Sequence, residues 1–127
     1  MNHIIEAHRY IENAREILKD KANKEDGFYQ DKKYVKMAGN TAYNGVLVAL
    51  DGYFGIKKKG RKNVEWYKEE LGKTDKKILN SFLIVYNALH LDMGYDGLPS
   101  IVISNEGLKH AENIIHWVEM KQELVNA

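Results

Sequence analysis

Ala38-Gly39-Asn40-Thr41-Ala42-Tyr43-Asn44-Gly45-Val46-Leu47-Val48-Ala49-Leu50-Asp51-Gly52 carries one charged side chain, that of Asp51. A helix so poor in charge is a buried helix. Within it Ala38, Ala42, Gly45, Ala49 and Gly52 step by four, three, four and three, which places small residues along one ridge. Such a ridge lets a neighbouring backbone approach closely, and that packing offsets the ~1 kcal/mol each glycine costs inside a helix. The spacing of Gly45, Gly52 and Gly55 matches neither the dinucleotide fingerprint nor the Walker pattern, so packing and not a phosphate loop explains the glycines. The fold is expected to form around this helix, capped at Asp31 and running to about Phe54.

Toward the N-terminus Ile4, Ala7, Ile11, Ala14 and Leu18 recur at three and four, with Tyr10 and Ile17 widening the stripe. This predicts a helix from Asn2 to Ala22 whose outer face, with Glu6, Arg9, Glu12, Arg15, Glu16 and Lys19, is solvated. Asn23 to Gln30 contains Asp26-Gly27, a turn signal. Toward the C-terminus, Gly55 to Asn63 reads as a basic loop and Val64 to Leu71 as a short helix stopped by Gly72. Thr74 is the expected cap of a third long helix, in which Ile78, Phe82, Val85, Tyr86, Leu89 and Met93 keep the helical period until Gly94. Tyr95 to Ser104, with Asp96-Gly97 and Pro99, reads as a loop holding an extended piece at Ile101 to Ile103. Ser104 then caps a last helix with Leu108, Ala111, Ile115, Val118 and Val125 along its seam. The expected architecture is all-α: a single domain over residues 1–127, a four-helix up-and-down bundle with one short extra helix.

The chain of 127 residues is 44% hydrophobic and 29% charged, a globular balance. At this length about two thirds of the unfolded surface can be buried. Nineteen Lys and Arg against eighteen Asp and Glu leave a net charge of +1, which excludes a global field steering the protein to nucleic acid or anionic lipid. The absence of cysteine excludes disulfides, thiolate metal sites and thiol catalysis. The first residues lack the apolar run of a signal peptide, and the longest apolar stretch, Val46 to Leu50, is far too short to span a bilayer. A cytoplasmic protein with no membrane contact is expected.

The five histidines give no metal pattern. His3 and His8 lie five apart, His110 and His116 six apart, and no Glu stands three residues before a His, so neither zincin nor carboxylate-bridged spacing is met. No metal and no cofactor is expected. Lys57, Lys58, Lys59, Arg61 and Lys62 form the one dense cationic run and are candidate phosphate contacts, with Trp66 and Tyr67 beyond them as candidate stacking platforms for bases. Glu65, Glu69 and Glu70 partly neutralise that patch, and a plain solvated loop is the competing explanation. Polar residues inside the apolar helices form a second group. Asn40, Asn44 and Asp51 share one face of the second helix, while Asn80 and Asn87 share one face of the third, with His90, Asp92, Tyr95 and Asp96 beyond. Buried amides need partners, so an interhelical hydrogen-bond network accounts for them. The sharper alternative is a ligand cleft formed by Asn44, Asp51, Asn87, His90, Asp92 and Tyr95.

Ala42-Tyr43-Asn44-Gly45-Val46, then Ala49-Leu50 and the basic loop, resemble the second helix of HEPN domains, the higher eukaryotes and prokaryotes nucleotide-binding family. The resemblance continues through Leu89-His90-Leu91-Asp92-Met93-Gly94-Tyr95 and the last helix around Ala111, Ile114 and Ile115. More narrowly, the chain is similar to a small bacterial family with a HEPN-like fold and no established activity. Catalytic HEPN ribonucleases carry an Arg followed four to six residues later by His. Here Arg9, Arg15 and Arg61 lack a His in that window, and His90 and Leu91 stand where the family's Arg and Asn would be. The resemblance therefore implies a non-catalytic HEPN-like module that binds itself as a homodimer, a partner protein, or a nucleotide or nucleic acid, with no catalytic residue carried over. Its alternatives are a divergent RNA-cleaving or nucleotide-processing enzyme using His90 with Asp92 or Tyr95, and one component of a toxin–antitoxin pair.

Overall fold

The computed structural model describes residues 2–57 and 60–126, with side chains to residue 123. The chain forms α1 (His3–Asp20), a hairpin of β1 (Lys24–Glu25) and β2 (Phe28–Tyr29), α2 (Lys32–Phe54), α3 (Val64–Thr74), α4 (Lys76–Val85), a π-helical segment (Tyr86–Tyr95) and α5 (Ile101–Asn126). The all-α expectation holds, with the small hairpin added to it. Among the described residues no helix is long and apolar enough to cross a membrane.

The stripe of α1 is buried as its spacing requires, with Ile4, Ala7, Ile11, Ala14 and Leu18 all in the core. The helix ends at Asp20, before Ala22, because the chain turns into the hairpin: the Ala22 carbonyl accepts the amides of Gln30 and Asp31. Asp26 (φ 51°) and Gly27 (φ 83°) are the two left-handed residues that a tight two-residue hairpin demands. Strands two residues long carry no periodicity, so only the turn was legible. A third segment completes the hairpin, since Phe28 bridges to Ser100 and the Tyr29 amide donates to the Pro99 carbonyl at 3.0 Å.

The second helix is the centre of the molecule. Ala38, Ala42, Val46, Ala49 and Leu50 have no exposed surface. A Cβ at Gly45 would lie 2.8 Å from Tyr10 Cβ, and one at Gly39 would lie 2.5 Å from the Leu89 carbonyl oxygen. Glycine thus admits α1 at one position and the π segment at another. Asp31 holds the N-cap position, but its side chain makes no capping bond. Gly55, at φ 70°, ends the helix in the left-handed conformation.

Three expected boundaries shift. Gly72 lies inside α3, and Asp75 rather than Thr74 separates α3 from α4, its Oδ1 accepting the amides of Lys77 and Ile78. A carboxylate meeting two amides outcompetes the Thr74 hydroxyl, which instead donates to the Glu70 carbonyl at 2.7 Å. The last helix starts at Ile101, so Ile101 to Ile103 is helical and the extended pairing falls on Ser100, whose Oγ accepts the Ile103 amide. Ser104 is no cap but a fully buried helical residue. The third long helix is also not uniform: after Val85 it widens into the π segment, where the Asp96 amide reaches back five residues to the Leu91 carbonyl. Phe82, Val85, Leu89 and Met93 remain buried throughout. The core is one cluster shared by α1, α2, α3, α4, the π segment and α5, Leu108, Ala111, Ile114, Ile115 and Val118 being the share of α5. The Val125 side chain, expected on that seam, lies outside the described residues.

Candidate functional site

Asp51, on the last turns of α2, is a carboxylate with only 6% of its surface exposed. Burying it unpaired would be costly, and two partners prevent that. Arg61 donates from Nε to Oδ2 at 2.9 Å, and Tyr67, in the second half-turn of α3, donates its hydroxyl to Oδ1. Tyr67 is 1% exposed, so burial pushes its phenol up from the ordinary value; the hydrogen bond and the negative charge of Asp51 act in the same direction. Burial likewise raises the Tyr43 phenol, with Tyr86 adding to it.

Asp51 and Arg61 form part of the wall of a cavity of about 350 Å³. Asn44, Val48, Asp51 and Gly52 line it from α2, and Ile56 and Arg61 from the loop that follows. The opposite wall is α1, with His3, Glu6 and Tyr10. Their spacing of three and four brings them to one side of that helix, so Glu6, expected on a solvated face, borders the cavity. The His3 ring lies over Gly52, where a Cβ would stand 2.0 Å from it, and its Nε2 hydrogen-bonds with Gln122. Absence of a side chain at Gly52 is what lets α1 close that end.

The six residues expected to share a cleft divide. Asn44 and Asp51 meet at the cavity, which Asn87, His90, Asp92 and Tyr95 do not line. Tyr95 is 76% exposed. Asn87 faces solvent and Asp92 is half-buried, its carbonyl accepting the Leu98 amide at 2.7 Å. The His90 ring stacks at 4.7 Å on Tyr43 and lies 5.2 Å from Tyr86, and its Nδ1 is buried without a hydrogen-bond partner. Among the described residues the interhelical amide network reduces to one bond, from Asn40 Nδ2 to the Gly94 carbonyl at 3.1 Å.

The basic run divides too. Lys57, Arg61 and Lys62 are all exposed, and Arg61 alone of them is paired with Asp51. Lys58 and Lys59 lie outside the described residues. Tyr67 offers no face to a base, being buried, and Trp66 packs edge-on against Phe54 at 5.3 Å. Among the described residues no three His, Asp or Glu side chains gather as a metal site. Sequence reasoning missed the Arg61 and Tyr67 partnership with Asp51. The available signal was an unexplained acid inside an apolar helix, next to a basic loop.

A family model described as a domain of unknown function (DUF5618) matches residues 2–120. A solved structure, a protein of unknown function from Dyadobacter fermentans, is 60% identical and covers 94% of this chain and 95% of that one, with a TM-score of 0.89. No curated protein matches the chain.

Proposed function

The chain belongs to the DUF5618 family, and on that footing we propose that it is a non-catalytic binding module that takes a nucleotide-like ligand in the cavity between α1, α2 and the basic loop. One observation carries this reading: Arg61, held by the buried Asp51 that Tyr67 also meets, stands with Asp51 in the wall of that cavity. Pairing a buried carboxylate is weak evidence of stabilisation, because desolvation offsets the attraction. Its value here is to hold a guanidinium rigidly at a concave surface, where a phosphate is well recognised. Asn44, Glu6 and Tyr10 supply hydrogen-bonding groups for a base or sugar. Both Asp51 oxygens already accept hydrogen bonds, which suits binding better than proton transfer.

The HEPN-like four-helix up-and-down bundle belongs to the same proposal. It is supported by four long stretches, namely α1, α2, α4 with its π continuation, and α5, with α3 as the short insert. The module acts as a homodimer in the cytoplasm in this reading. The enzyme alternative loses support because the His90 ring packs against Tyr43 and Tyr86 and its Nδ1 is buried.

The test is calorimetric titration with AMP and ADP. Binding that weakens about tenfold or more in Arg61→Met and in Asn44→Ala is expected. Absence of binding at a Kd of about 1 mM or tighter overturns the ligand reading. RNA cleavage abolished by His90→Ala overturns the non-catalytic one.

A further inference from the structure

On another part of the surface, a cavity of about 360 Å³ opens between α1, the hairpin and α5. Arg15 and Lys19 reach it from successive turns of α1, and Lys24 from β1, directly across the hairpin from Tyr29. Among the described residues no carboxylate lines it. Glu112 takes one Arg15 Nη2 hydrogen at 2.8 Å and braces the guanidinium against α5. Among the described residues neither Lys19 nor Lys24 has an ion-pair partner. Gathering like charges at one concavity costs energy unless an anion neutralises them.

The rest of the lining is built rather than fortuitous. Asn23, at φ 56°, turns the chain just before Lys24. The Tyr29 hydroxyl is tied to Ser104 at 3.0 Å, so the ring that forms the wall is fixed. Asn105 adds an amide, and Leu18 and Leu108 make an apolar floor. Two lysines and the braced Arg15 lining one cavity beside an apolar floor match a phosphate group esterified to an apolar or aromatic body. We propose that this cavity is a second binding site, for a phosphate monoester, with Arg15, Lys19 and Lys24 holding the phosphate and Leu18 and Leu108 the organic part.

The site is independent of the Arg61 cavity, and titration calorimetry with inorganic phosphate and with phenyl phosphate separates the two. Phenyl phosphate is expected to bind, and about tenfold more tightly than inorganic phosphate if the apolar floor contributes as assigned. The double variant Lys19→Gln/Lys24→Gln, with both lysines on exposed positions, is expected to weaken phenyl phosphate about tenfold or more, with Arg61 present and in an Arg61→Met background alike. Equal affinity of wild type and double variant, or no heat from either compound, overturns the site. Loss in Arg61→Met with none in the lysine variant assigns the phosphate to the other cavity and overturns it as well. Equal binding of the two phosphates overturns the organic part alone. Far-ultraviolet circular dichroism of each variant confirms that the fold is retained.

Discussion

The Tyr29 hydroxyl donates to Ser104 Oγ at 3.0 Å, joining residues 75 positions apart. The direction follows from Ser104 itself, whose single hydroxyl proton is committed to the Ile101 carbonyl at 2.9 Å. Both side chains are buried. Removing Ser104 Oγ therefore strands a donor, whereas removing the Tyr29 hydroxyl strands only a lone pair. Ser104→Ala is expected to cost about 2 kcal/mol and Tyr29→Phe about 1 kcal/mol in urea unfolding. The double variant should be no less stable than Ser104→Ala alone; additive losses would show that the two do not act as a pair.

Gly39 and Gly52 both lack room for a Cβ, but against different neighbours. At Gly39 the obstacle is backbone, the Leu89 carbonyl oxygen and the Gly94 nitrogen, which cannot step aside without moving the π segment. At Gly52 it is the His3 ring, which can rotate away. Gly39→Ala is thus expected to destabilise by about 3 kcal/mol, and Gly52→Ala by about 1 kcal/mol or less, measured by thermal and urea unfolding. The second variant should also displace His3 from the cavity edge, visible as a shifted His3 ring resonance.

The His90 Nδ1 atom is desolvated without a partner, in a ring that packs against Tyr43 and Tyr86. His90→Phe keeps a flat ring there and removes the stranded nitrogen, so it should raise stability by about 1 kcal/mol. A large loss would mean that the nitrogen is hydrogen-bonded in solution.

Alkaline pH should unfold the protein through Tyr43 and Tyr67. Both phenols are raised above the ordinary 10.0, so the folded state holds its protons more tightly than the unfolded one. Stability is fully present below pH 10 and falls as pH rises beyond it, at up to about 1.4 kcal/mol per pH unit for each phenol. Tyr43→Phe should make that decline shallower, measured as urea midpoints from pH 9 upward.

How legible all this was depended on repetition. Ile4 to Leu18 and Ala38 to Gly52 repeat a spacing often enough to state which face is buried, and the structure agrees. Features resting on one residue were decided by competition that spacing does not record. Asp75 displaced Thr74 as a cap because it could meet two amides, and Ser100 displaced Ser104 because the hairpin needed an extended partner there. The site suffered in the same way. Asn44 and Asp51 were recognisable as polar residues on a buried helix, but their companions His3, Glu6 and Arg61 come from elements whose docking no local pattern announces. Helical phase failed for Asn87, His90 and Tyr95, because the segment holding them is not wound as an α-helix.

That winding has a consequence of its own. Between Tyr86 and Tyr95 the backbone closes on the fifth residue instead of the fourth, so the chain carries slack there. Deleting one residue there would let the hydrogen bonds reclose at the ordinary pitch, and the slack would absorb the loss. A deletion in the regularly wound α4 finds no slack and turns everything beyond it by about 100°, which swings Met93 and Gly94 away from Gly39. Along this helix the π segment is therefore where a one-residue deletion should be tolerated best.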